Sequence, residues 1–129
     1  MSYAIKHVPS DGIAEINLEG SVTAAELSAL TVDCVELQRR MSVTGFLVIV
    51  EKTEINVSHE QLQEAPRRHF REVELRRSTR IAVLRPTTSS GQKAAEVYEA
   101  GCRNAGWNVR LFPDRGSAVQ WLKGGGDPR

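Results

Sequence analysis

Cysteine is scarce in this 129-residue chain, and the two present, Cys34 and Cys102, cannot build a disulfide framework. Neither belongs to a CxxC or Cys/His metal pattern, and both fall on the apolar faces of predicted helices, where they read as small buried hydrophobes. Long apolar runs are also missing. The longest, Phe46–Val50, falls far short of the roughly 20 residues that a membrane-spanning helix needs. The start, Met1-Ser-Tyr-Ala-Ile-Lys6, has neither the basic end nor the apolar stretch of a signal peptide, so the cytoplasm is the expected location. Net charge is only +1, which supplies no general pull towards nucleic acid.

Composition is that of a globular protein, with 40% hydrophobic and 26% charged residues, and the length suits one domain over 1–129 with 124–129 as a flexible tail. Charge is unevenly spread. Residues 1–62 hold four basic and nine acidic side chains, whereas 63–85 hold seven arginines against three glutamates. That asymmetry marks where an acidic partner could land without naming the partner.

Along the chain, β-tending segments at Ala4–Val8 and Ile13–Glu19 flank Pro9-Ser-Asp-Gly12, a hairpin signal. Thr23 with Glu26 forms a capping box that opens a helix carrying Leu27, Leu30, Cys34, Leu37 and Met41 on one stripe. Phe46–Val50 is apolar on both faces, which predicts a central strand covered by helices on both sides. Residues 51–57 run polar. Ser58-His-Glu-Gln61 is a second capping box, and its helix meets an interruption at Pro66. The stretch from Arg67 to Arg77 has no clear period, with Phe70, Val73 and Leu75 as its apolar anchors. A strand over Thr79–Leu84, a loop over Pro86–Gly91, a helix from about Gln92 to Asn104, a strand over Trp107–Phe112 and a short helix over Ala118–Lys123 complete the order. Strands alternating with helices after a hairpin predict an α/β domain with about five strands in a mixed, mostly parallel sheet and about four helices.

This order, the Gly20-Ser-Val-Thr23 step into the long helix, and the closing Val109-Arg-Leu-Phe112 strand with Ala118-Val-Gln-Trp-Leu122 resemble the STAS domain, and more closely its SpoIIAA-like stand-alone branch. The resemblance covers nearly the whole chain, from Ala4 to Leu122. It implies a non-enzymatic domain, in a branch linked in fold to lipid-binding CRAL-TRIO domains. In the anti-sigma factor antagonists of the family, a serine in an Asp-Ser-Ser/Thr-Gly motif after the third strand is phosphorylated. The matching place here reads Asn56-Val-Ser-His59, with Ser58 present and the Asp and Gly absent. The look-alike Thr88-Ser-Ser-Gly91 follows the fourth strand, one unit late.

No cluster of residues meets the requirements of an active site. His7, His59 and His69 are scattered, so neither a metal nor a cofactor is expected. Ser89 and Ser90 lack a Gly-x-Ser-x-Gly elbow, and Ser-Ser-Gly at a helix start lacks the Lys and the length of a P-loop. The arginine cluster is the distinctive feature. Phe70 with Val73 and Leu75 is expected to cover an apolar cleft, and Arg67, Arg68, Arg71, Arg76 and Arg77 to stand at its rim. With only Phe70 available for base stacking, nucleic acid is not the expected partner. The sequence therefore predicts a binding module for a small amphipathic anionic ligand or an acidic protein partner, with a homodimer left open. The alternative is an antagonist-like regulator switched at Ser58.

Overall fold

In the computed structural model, which describes residues 2–8 and 12–124, β1 (Ser2–Val8) runs antiparallel to β2 (Ile13–Val22), with Ile5 opposite Ile16 and Lys6 opposite Glu15. The expected turn residues 9–11 and most of the expected tail lie outside the described residues. Next come α1 (Ala24–Met41), β3 (Gly45–Ile55), α2 (His59–Glu64), a π-helical turn (Ala65–His69) and the single-turn α3 (Phe70–Glu72). β4 (Arg80–Leu84), α4 (Ser89–Asn104), β5 (Asn108–Phe112) and α5 (Arg115–Leu122) follow. The sheet order is β1-β2-β3-β4-β5, parallel from β2 onwards. This is the mixed, mostly parallel five-stranded sheet that the sequence predicts, with α3 as an additional helix.

Strand order explains where the helices go. Right-handed crossovers between successive neighbours place every connecting helix on the same face of the sheet. There, α1, α3 and α4 contribute Leu30, Cys34, Phe70 and Cys102 to a core built on Ile16, Phe46 and Val83. Only α5, which follows the last strand, can cross to the other face, where Trp121 and Leu122 cover Leu47, Ala82 and Phe112. β3 lies between these layers. Phe46, Val48 and Val50 point to the first and Leu47 and Ile49 to the second, so both faces are apolar as expected. Gly45 permits the close approach of α5, because a Cβ there would lie 3.0 Å from Leu122 Cδ2.

Both capping boxes form. Thr23 Oγ1 accepts from Glu26 N at 3.3 Å while Thr23 N donates to the Glu26 carboxylate at 3.1 Å. The stripe on α1 differs at its C-terminal end. Met41 is 46% exposed, and Val35 and Gln38 are buried instead. The helix stops at Ser42 in a left-handed conformation, φ 53°, and the chain turns inward to Val43. The Gln38 amide fills the resulting corner, donating to Val43 O at 3.1 Å and Thr79 Oγ1 at 2.7 Å.

β3 is also twice its expected length. Polar residues 51–55 stay in the sheet because β2 offers pairing partners as far as Val22, opposite Ile55. The register shifts between Asn17 and Glu19, where β3 carries one residue more than β2. At that bulge the buried Thr53 hydroxyl donates to Leu18 O at 2.8 Å. The α4 and α5 helices each begin three residues before their expected starts. Thr88 Oγ1 accepts from Gly91 N at 3.1 Å, and Asp114 Oδ1 accepts from Ser117 N at 2.8 Å. Gly91 and Gly116, which read as loop residues, sit inside the first turns.

Candidate functional site

The side chains that fill the helical face of the sheet do not fill it completely. Between α1 on one side and α2 and α4 on the other lies a cavity of about 400 Å³, within the range typical of small-molecule sites. Its floor is Ile16, Leu18, Phe46, Val48, Val50 and Val83 of the sheet. Its walls are Leu27, Leu30 and Cys34 of α1 and Ala94, Ala95 and Tyr98 of α4. The small side chains of Ala94 and Ala95 border this space. On the far side of the cavity, α2 packs directly on α4.

The polar groups within the cavity are largely occupied by the protein itself. Thr31 Oγ1 donates to Leu27 O at 2.9 Å, and Thr53 to Leu18 O. Burial pushes the Cys34 thiol up to about 12, so it holds its proton and is no nucleophile at neutral pH. Tyr98 keeps partial exposure at the cavity, yet the surrounding protein, with the Cys102 thiol beside it, pushes its phenol well above the ordinary range. The interior is thus apolar and uncharged.

The roof runs from the Ser58 cap into the Arg67–Arg77 segment, whose sequence has no clear period. Ser58 starts it: Ser58 N donates to Gln61 Oε1 and Gln61 N to Ser58 Oγ, both at 3.1 Å. Pro66 has no N–H to continue the helical ladder, and the backbone runs through a π turn, Ala65–His69, instead of breaking. Phe70 then descends into the core at 2% exposure. It meets Trp107 edge-to-face at 5.4 Å and Tyr98 at 6.4 Å between centroids. Val73 and Leu75 pack into the same cluster, and Glu74, at φ 61°, reverses the chain between them.

The rim holds Glu60, Gln61 and Glu64 of α2, Arg68 and His69 of the π turn, and Ser28 of α1. His69 Nε2 donates to Ser28 O at 3.0 Å, linking the π turn to α1 across the opening. Of the arginines expected at a rim, Arg68 borders the cavity. Arg67, Arg71 and Arg76 are exposed and outside its lining. Arg77 is engaged by the fold, with its guanidinium 3.8 Å from the Trp107 ring centroid and donating to Ala105 O. Arg80, counted in the same basic run, donates to Trp121 O at 2.5 Å on the opposite face. Ser58 is exposed at the α2 cap directly after β3. Among the described residues no cluster of His, Cys, Asp or Glu could hold a metal, and no helix is long and apolar enough to cross a membrane.

No protein-family model and no curated protein matches this chain. Solved structures do. The anti-sigma factor antagonist SpoIIAA in its unphosphorylated form superimposes with a TM-score of 0.60 at 13% identity, over 98% of this chain and 100% of that one. An uncharacterised DUF3478-family protein with a SpoIIAA-like fold from Shewanella loihica PV-4 matches with a TM-score of 0.54 at 14% identity, over 94% of this chain and 92% of that one. At such identities the likeness is one of architecture, and it agrees with the element order and the sheet described above. This chain has the SpoIIAA-like fold.

Proposed function

We propose that the domain is a non-enzymatic binding module that takes a small amphipathic ligand into the cavity between α1 and α2–α4. The observation that carries this reading is the cavity itself: about 400 Å³ of apolar space bordered by a rim of charged and polar side chains. Protein interiors normally close such space, since voids forfeit packing contacts. Retained apolar space with a polar opening is the usual form of a ligand site. Exposed Arg67, Arg71 and Arg76 lie on the segment that roofs it and add positive charge for an anionic ligand or an acidic protein partner. Native mass spectrometry of freshly purified protein tests the reading. The expected spectrum contains a 1:1 adduct of small mass that organic extraction removes. A spectrum of bare protein, unchanged after incubation with apolar and amphipathic compounds, would overturn it.

The second reading is a regulator switched by phosphorylation at Ser58, favoured by that hydroxyl being exposed at a helix N-terminus. The free N–H groups of a first turn accommodate negative charge there. The antagonist of the same fold was solved in a form described as unphosphorylated. Stoichiometric phosphate on Ser58 in cells, together with loss of partner binding in Ser58→Asp, is the outcome this reading requires.

A further inference from the structure

The lining is long as well as apolar. On β2 it runs from Ile16 to Val22 and on β3 from Phe46 to Ile55, which is about 20 Å or more at roughly 3.3 Å per residue. An elongated apolar lining of that kind suits an extended hydrocarbon chain. The interior also asks for no polar partner, since the Thr31 and Thr53 hydroxyls are already bonded to backbone carbonyls. A ligand group carrying donors or acceptors would lose its water there without compensation.

The rim decides the headgroup. Among the described lining residues, Arg68 alone carries a fixed positive charge, and no hydrogen bond or ion pair of its guanidinium is found among the described residues. His69 is committed to Ser28 O. Glu60 and Glu64 stand on the same rim and oppose additional negative charge. One guanidinium beside two carboxylates suits a single carboxylate, which its two-pronged donor face can hold, better than a doubly charged phosphate.

We propose, building on the reading that the cavity takes a ligand, that its occupant is a single-chain fatty acid. The hydrocarbon lies along β2 and β3 beneath α1, and the carboxylate meets Arg68 where the π turn crosses the opening. Each methylene added within the channel raises affinity by about fourfold, and the gain ends when the chain outgrows the lining.

The test is calorimetric titration of delipidated protein with dodecanoate, 1-dodecanol, dodecyl phosphate and a naphthalene-based apolar dye, on the wild type and on Arg68→Gln. The Arg68 side chain is exposed, so this variant is expected to fold, and its thermal melt verifies that. Dodecanoate is expected to bind the wild type most tightly of the four. Arg68→Gln should weaken dodecanoate by about tenfold and leave 1-dodecanol within twofold. If the dye or dodecyl phosphate binds as tightly as dodecanoate, or Arg68→Gln leaves dodecanoate unchanged, the fatty-acid assignment falls while the cavity remains a binding site. If none of the four compounds binds, both readings fall.

Discussion

Single side chains with two duties are the places where this domain can be probed one atom at a time. Ser58 caps α2 and is also the residue a kinase would need. As a cap its hydroxyl satisfies the Gln61 N–H. Ser58→Ala should therefore lower stability by about 0.5–2 kcal/mol, read from urea denaturation, while ligand affinity stays the same. A loss of binding without a loss of stability would move the function towards the phosphorylation reading. Cys34 and Cys102 offer a different handle. Burial raises both thiols to about 12 from an ordinary 9, so the folded form holds protons that the unfolded form releases. The stability they contribute is complete below pH 9 and is lost as pH rises through the window from about 9 to 12. Urea midpoints measured at pH 8, 9.5 and 11 should fall along that series, and Cys34→Val should flatten the fall. An equally steep fall in the variant would mean that other groups govern alkaline unfolding.

Among the elements, those with local chemical signals were legible in the sequence. The two capping boxes and the doubly apolar strand are each written in a few adjacent residues, and the structure has them. What depended on distant partners was not legible. β3 runs to Ile55 because β2 supplies pairing, although residues 51–55 alone look like a polar loop. Met41 continues the apolar period of α1 and still faces outward, because the chain turns away at Ser42. The π turn contains Pro66 and lies within a segment held at both ends, by the Ser58 cap and by Phe70 in the core. The bulge in β3 gives a test at this scale. Thr53→Val keeps the shape but removes the donor to the buried Leu18 carbonyl, and should cost about 1–3 kcal/mol by chemical denaturation. A change within experimental error would show that the carbonyl finds another partner.

At the scale of the whole molecule, the two faces of the sheet are built differently. Three crossovers and the π turn crowd one face, and a single eight-residue helix, α5, closes the other. The α5 face packs through Trp121, Leu122 and Phe112. The crowded face keeps the cavity, bordered by Leu27, Leu30 and Cys34 on the α1 side and by small Ala94 and Ala95 on the α4 side. No sequence pattern announces such a space. Every residue that lines its floor looks like ordinary core, and only the three-dimensional arrangement shows that the pieces do not meet. The basic segment was visible as an unusual stretch, and its Phe70 and Arg68 do border the cavity, but sequence alone could not separate Arg68 from Arg77, which Trp107 occupies. The most direct test of the central claim is methyl-resolved NMR of the delipidated protein titrated with dodecanoate. The cavity account predicts shifts at the methyls of Leu18, Leu30, Val50 and Leu62, with Leu47 and Leu122 on the opposite face unmoved. Shifts confined to Leu47 and Leu122 and the rest of the α5 face, or to exposed methyls such as Val32 and Met41, would contradict it.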